Sequence, residues 1–376
     1  MITFVNARLC TPEPTEGWLQ VEDGRIAALG QGRPPMTQQL VDVGHGWLLP
    51  GFVDTHCHGG GGAALYSGEV ADVVRAARSH LEHGTTSLIA SVATMRLDRM
   101  IEAASAVARA VASGAAPNIR GIHLEGPFLS QRRRGAQTAD ALLEPDERVF
   151  EELIAAAGGL AMAMTIAPEL PGAIELIGRH RDEITFAVGH TDDDGTWTRR
   201  AFDAGARTAT HLFNAMPPMT HRQPGPVGAA LTDDRIACEL IADGTHLSPE
   251  ALTVATRTAG PDRTILVTDA MAATGLGDGE YSYADRHVHV RNGVATLRGT
   301  DTLAGSVHFL ADALATAARI LGVEVPQAAR LVASNAARHY GWHDRGTLAT
   351  GNVADLVLLS PDLTVEAVYL AGAEVS

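Results

Sequence analysis

The sequence predicts an α/β protein: a (β/α)8 TIM-type barrel with a small β-sandwich domain formed by both chain termini. Three observations carry this. From Gly51 onward, short apolar runs alternate eight times with Ala-rich amphipathic segments. Five of those runs end on a carboxylate or an imidazole. The first 50 residues and the last thirty or so lack the alternation and read as short strands punctuated by Gly and Pro. The expected organisation is therefore 1–50 and 344–376 as the two parts of the β domain, with 51–343 as the barrel.

Residues 18–22 and 25–29 flank Asp23-Gly24, a strong hairpin signal. Gly and Pro punctuate 30–35, and Trp47-Leu48-Leu49-Pro50-Gly51 closes the segment. The barrel strands are expected at 53–58, 86–92, 119–125, 161–167, 185–189, 207–210, 238–242 and 264–268. Amphipathic helices are expected at 69–82, 98–112, 145–157, 196–204 and 249–258. Pro145, Pro171 and Pro249 stand where a first helical turn would begin. An open doubly wound sheet is the rival, but it would gather its ligand site at one crevice. Polar residues on five strand tips suit a closed mouth. Beyond Asp269 a Gly-rich stretch, 275–279, precedes a hairpin excursion, 281–290 and 294–297, joined through Arg291-Asn292-Gly293. Helices follow at 308–321 and 327–337, then strands at 355–359 and 365–370.

The chain has 376 residues, 45% of them apolar, enough for one large domain and a small one. A formal charge of −15 argues against a nucleic-acid binder. The three cysteines, Cys10, Cys57 and Cys238, are scattered and suit a reducing cytosol. Cys57 lies between two candidate ligands, yet on a strand it would point away from them. The first residues lack the basic region and long apolar core of a signal peptide. The apolar run 153–167 is shorter than the roughly 20 residues a membrane span needs. A soluble cytoplasmic protein without a membrane partner is expected.

His56 and His58 lie two apart on a strand and so face one side. Imidazole and carboxylate are the usual ligands of zinc and similar ions. A lone strand-end histidine is more often structural. Here His56, His58, Glu125, His190, His211 and Asp269 all occupy C-terminal strand ends, which converge in a barrel. These six are the expected ligands, with Glu125 central. His123 sits deeper and is read as supporting or core; the remaining histidines are read as surface or packing.

The ordered motifs Pro50-Gly51-Phe52-Val53-Asp54, His123-Leu124-Glu125-Gly126-Pro127-Phe128, Ala167-Pro168-Glu169, Gly189-His190-Thr191, His211-Leu212-Phe213-Asn214-Ala215-Met216-Pro217, Asp243-Gly244-Thr245-His246, Val267-Thr268-Asp269-Ala270 and Leu303-Ala304-Gly305-Ser306 run across nearly the whole chain. With its HxH on strand one, the chain resembles the amidohydrolase superfamily and, within it, the N-acetylglucosamine-6-phosphate deacetylase family. The resemblance implies that Glu125, His190 and His211 hold a catalytic ion. Some members carry Gln and Asn at the strand-one positions and bind one metal. His56 and His58 here imply a second ion, with Glu125 bridging. The expected cofactor is one or two divalent ions per subunit, zinc foremost, with Fe, Mn or Co as alternatives.

In an amide hydrolase Asp269 is expected to take a proton from water and deliver it to the departing nitrogen; the bland alternative is a ligand or helix cap only. The resemblance makes His246 a substrate contact and places Gln137 where some members have a histidine, in a basic loop, 132–137, that closes over the substrate. Asn214 and the Ala215 N–H are candidate phosphate contacts. Arg222 would reach the neighbouring subunit's site in a homodimer. Leu303, Ala304, Gly305 and Ser306 would line the acetyl pocket. The expected reaction is deacetylation of N-acetyl-D-glucosamine 6-phosphate in amino-sugar catabolism and cell-wall recycling. Alternatives are the galactosamine epimer and a non-catalytic barrel that binds amino-sugar phosphate. A cyclic amidase of the dihydropyrimidinase type would present a strand-four lysine, which 161–167 lacks.

Overall fold

A computed structural model describes residues 1–375. Eight parallel strands run in chain order: Phe52–Cys57, Thr85–Val92, Ile119–Glu125, Ala161–Ile166, Thr185–Val188, Thr208–Ala209, Ala237–Ile241 and Thr264–Val267. The sheet closes without a regular ladder between its last and first strands. Cys57 and Ala270 form a parallel bridge, the Asp269 N–H donates to His56 O (2.8 Å), and the His58 N–H donates to Ala270 O (2.8 Å). That seam makes a barrel rather than an open sheet. Strands covered on both faces can be apolar throughout, and Thr85–Val92 is buried at every position.

Helices including Val70–Glu82, Leu97–Ala112, Glu147–Ala156, Ala173–His180, Thr196–Ala204 and Pro249–Ala259 connect the strands. Pro249 opens its helix, and the Ser248 side chain accepts the Ala251 N–H. Pro145 and Pro171 instead precede the N-caps Asp146 and Gly172. Asp146 displaces the helix start because its carboxylate accepts the Val149 N–H. The 327–337 helix is broken in two, Val325–Val332 and Ser334–His339, at the non-helical backbone of Ala333. Among the described residues no helix is long and apolar enough to cross a membrane.

The chain ends share one mixed sheet. Trp47–Pro50 pairs antiparallel with Leu356–Leu359 and parallel with Ile2–Leu9. Phe4 and Tyr369 touch at 4.9 Å between ring centroids although two strands separate theirs in the sheet order. In a flat sheet that separation would be about 14 Å. The sheet therefore curls over on itself, sandwich fashion, and buries Phe4, Leu19 and Leu48. Asp23 and Gly24 both have positive φ, as a tight hairpin turn requires.

The excursion after Asp269 has one strand more than a hairpin: Gly279–Tyr283, Arg286–Arg291 and Val294–Leu297 are antiparallel in that order. The added turn lies at Ala284, whose φ is +48°. It leaves Tyr283 buried at the barrel mouth.

Candidate metal centre

Glu125 ends the third barrel strand, and His56 lies within the first. His190, His211 and Asp269 each follow their strand by two residues, at φ +47°, +28° and +47°. A non-glycine residue in that region costs on the order of 1 kcal/mol or more and persists only where its surroundings enforce it. Peptide bonds on either side do so here. The Ser130 N–H donates to His190 O (2.9 Å), the Asn214 N–H to His211 O (3.0 Å), and the Ser306 N–H to Asp269 O (2.8 Å). The turn swings each side chain from the barrel wall into its mouth.

The structure brings all six predicted residues together. Glu125 Oε1 lies 3.1 Å from His190 Nε2, 3.2 Å from His211 Nε2 and 3.4 Å from His56 Nε2. Glu125 Oε2 lies 3.2 Å from His58 Nε2. Asp269 Oδ1 is 3.3 Å from His58 Nε2 and 3.6 Å from His56 Nε2. Two ligand groups, His56/His58/Glu125 and Glu125/His190/His211, share Glu125.

This donor set fits a metal. His58 Nδ1 faces Ser91 O at 3.2 Å and His190 Nδ1 faces Arg133 O at 2.9 Å. Those acceptors place the proton on Nδ1, so the Nε2 lone pairs point at the carboxylate. His190 and His211 Nε2 lie 3.0 Å apart, and His56 and His58 Nε2 lie 3.2 Å apart. Lone pairs that close repel unless a cation lies between them. Ligands about 2.0–2.1 Å from a tetrahedral zinc stand about 3.3 Å from one another.

The electrostatics ask for positive charge. Burial works against an ionised Glu125, yet the His58 contact and the His190 and His211 hydrogen bonds hold its carboxyl well below the usual range. Burial favours neutral His56, but Glu125 outweighs it and raises the imidazole well above its ordinary value. Burial likewise opposes the Asp269 charge, but the His58 hydrogen bond and the nearby His56 bring its carboxyl down to about 2. A bound cation would satisfy the same demand.

Beneath the ligands lies a polar platform where a barrel core would usually be apolar. Ser91 Oγ, His123, Thr165 and Thr210 form a chain with steps of 2.9, 2.8 and 2.8 Å. His123 thus supports the centre from below, and burial pushes it down to about 3. Glu239 accepts from Thr55 Oγ1 (2.9 Å) and faces His56 Nδ1 (3.4 Å). A third grouping, Asp54, Cys57 and His80, adjoins the first barrel strand, where the pairing is irregular between Asp54 and Cys57. Asp54 there accepts the Thr268 O–H (2.6 Å), and His80 Nε2 faces Gly59 O (2.8 Å), while His80 Nδ1 is buried with no partner among the described residues. Cys57 points toward His80, away from the ligands, as strand alternation requires.

The centre opens into a cavity of ≈ 230 Å³ lined by Glu125, His190, His211 and Asp269 together with Gln137, Asn214, Ala215, His246, Leu303 and Gly305. Gln137 is engaged at both ends. Its Oε1 accepts the Thr94 N–H (2.8 Å), and its Nε2 donates to Glu125 Oε2 and to the Tyr283 hydroxyl (3.3 Å). It thus orients Glu125 rather than presenting a free amide. The Asn214 amide donates to His211 O (3.1 Å) and so holds the loop. His246 Nδ1 lies 2.6 Å from Asp243 Oδ2; burial presses the imidazole down, but this partner holds it above its ordinary value.

Three of the predicted substrate contacts stand outside the cleft. Ala304 is buried and its N–H bonds Ala295 O (3.1 Å). Ser306 is buried too, and its hydroxyl donates to Thr268 O (2.6 Å). Arg222 is exposed on the loop after His211. The basic loop is anchored over the site: Arg132 and Arg133 both pair with Asp192, at 3.3 and 2.7 Å. Sequence reasoning missed Tyr283 and Glu239. A carboxylate inside the apolar run Cys238-Glu239-Leu240-Ile241 was a usable signal. Tyr283 had none, because only the path of the excursion brings it to the mouth.

Residues 47–375 match the Amidohydrolase family. The chain is 36% identical over 357 residues to N-acetylglucosamine-6-phosphate deacetylase of Bacillus subtilis (strain 168), covering 93% of this chain and 90% of that one. It is 32% identical over 367 residues to N-acetylgalactosamine-6-phosphate deacetylase of Escherichia coli O157:H7, covering 95% of each. The crystal structure of N-acetyl-D-glucosamine-6-phosphate deacetylase from Mycobacterium smegmatis matches with a TM-score of 0.94 at 39% identity over 100% of both chains. A mutant of that enzyme in complex with N-acetyl-D-glucosamine-6-phosphate matches with a TM-score of 0.93 at 39% identity, over 100% of this chain and 98% of that one. Dihydropyrimidinase from Brevibacillus agri, at 14% identity and a TM-score of 0.59, shares only the fold. The chain therefore belongs to the amidohydrolase family and, within it, to the N-acetylglucosamine-6-phosphate deacetylase family.

Proposed function

We propose that this protein hydrolyses N-acetyl-D-glucosamine 6-phosphate to D-glucosamine 6-phosphate and acetate, with one or two divalent ions held by His56, His58, Glu125, His190 and His211. The observation that carries the reading is the convergence of four imidazole Nε2 atoms on Glu125, with Asp269 against His56 and His58, beneath an open cleft. The nitrogen and oxygen donors favour zinc, with Fe, Mn and Co as alternatives. When bound, the ions would polarise the acetyl carbonyl and acidify water.

Asp269, ionised at neutral pH, takes a proton from the attacking water and returns it to nitrogen as the C–N bond breaks. The amine leaves neutral, and Asp269 is restored to its anion. His246, held by Asp243, donates toward the acetyl carbonyl or a sugar hydroxyl. Leu303, Gly305, Asn214 and Ala215 line the cleft; in this reading the first two would receive the acetyl methyl and the last two the phosphate. Of the described residues lining the cleft, none is Lys or Arg. We therefore propose a homodimer in which Arg222 of the neighbouring subunit pairs with the phosphate. The buried free thiols Cys10, Cys57 and Cys238 support a cytoplasmic setting. The proposed module limits are 1–50 with 344–376, and 51–343.

Acetate release tests the reading, measured after chelation and after metal is restored. The expected result is release from the phosphorylated glucosamine derivative that depends on added metal. No release from either epimer's 6-phosphate in metal-replete protein would overturn it. The galactosamine epimer is the second reading, because relatives at 32% and 34% identity carry that name. The ratio of kcat/KM for the two epimers decides between them.

A further inference from the structure

We infer that Glu239 is a positioning residue that tightens the His56/His58 side of the metal centre and leaves the His190/His211 side unaffected. The inference deepens the two-ion reading and rests on it. The four imidazoles differ in what stands behind them. His58 and His190 have backbone carbonyls at Nδ1. His211 Nδ1 is buried with no partner among the described residues. His56 alone has a carboxylate behind it, Glu239 Oε2 at 3.4 Å.

That carboxylate is held in place. Its other oxygen accepts the hydroxyl of Thr55, the chain neighbour of His56, at 2.9 Å. Glu239 is 4% exposed, facing into the barrel from an apolar strand. Among the described residues its only ion pair within 4 Å is with His56, and none is with Lys or Arg; His123 and His339 also lie near enough to act on it electrostatically. An anion buried this way is costly unless positive charge lies nearby. Glu125, Asp269 and Glu239 together carry three negative charges around the centre, and two divalent ions would bring four positive ones. With one ion the site would stay anionic. A carboxylate behind a ligating imidazole fixes its Nδ1–H tautomer and raises the basicity of Nε2, an arrangement whose loss costs about 10–100-fold in metal affinity.

Glu239→Gln removes the charge and keeps the shape. Zinc binding is measured by competition with a chromophoric chelator on the full-length protein, with cobalt absorption as a second readout. The wild type is expected to take up two ions. E239Q is expected to hold one ion at wild-type affinity and the other about 10–100-fold more weakly. Should E239Q fold poorly, Thr55→Val, which frees the carboxylate from its anchor, is expected to weaken the same ion by a smaller factor. E239Q that binds both ions like the wild type, or weakens both equally, overturns the inference alone. A wild type that saturates with one ion overturns the two-ion reading and this inference with it.

Discussion

Replacing Asp269 with Asn removes one charge and one proton acceptor at nearly constant shape. The backbone there has φ +47°, which asparagine tolerates. The peptide bonds to His56 and Ser306 do not involve the side chain, so the variant is expected to fold. Four histidines and Glu125 remain, and metal is expected to stay bound. What is lost is proton transfer in both halves of the reaction. Positioned acid–base catalysis contributes about 10²–10⁴-fold, or roughly 3–5 kcal/mol of barrel-mouth transition-state stabilisation. Steady-state acetate release is expected to show kcat lower by that factor with KM changed little, alongside unchanged metal content by mass spectrometry. A fall of less than tenfold with metal content intact would refute the proton-transfer assignment. Loss of metal would instead make Asp269 chiefly a ligand.

Gly305→Ala is expected to destabilise the fold by about 1–3 kcal/mol, because φ is +70° and the new Cβ would lie 2.6 Å from Asp269 O. An unchanged melting temperature would contradict this. Chelation is expected to lower the melting temperature and re-addition of zinc to restore it, since an ion at about 1,000 times its Kd stabilises by about 4 kcal/mol; differential scanning calorimetry reads the shift. The His246–Asp243 pair sets a pH window. The raised His246 contributes stability fully below about pH 6.5 and loses it as pH rises through its folded value. The lowered Asp243, whose burial is outweighed by His246, contributes above about pH 3.9 and loses it as pH falls. Melting temperatures of His246→Gln across that range should show a flatter profile than the wild type. Arg222→Ala is expected to raise KM about 10–100-fold for the phosphorylated sugar and to leave the unphosphorylated one unaffected; equal effects on both would remove Arg222 from phosphate binding.

The barrel and the meeting of the candidate ligands at its mouth were legible from the chain alone because they depend on local rules. Strand runs such as Ile119–Glu125 are short and apolar, and a carboxylate or imidazole at such a tip needs a partner. Once eight such strands close, their tips must converge, so Glu125, His190 and His211 could be grouped without coordinates. The positive φ at His190 and Asp269, which aims them inward, is held by hydrogen bonds from the distant Ser130 and Ser306 peptides and has no local signature, whereas that at His211 is held by Asn214 three residues on. The engagement of Gln137 by Thr94, Glu125 and Tyr283 is likewise a matter of three segments meeting. Ser306 and Ala304 show the converse: a motif names the stretch, while packing decides which of its side chains face the cleft. Pattern along the chain thus determined the fold and the ligand types. Closure of the barrel and the path of the inserted strands decided orientation and supporting partners, because those interactions join residues far apart in sequence.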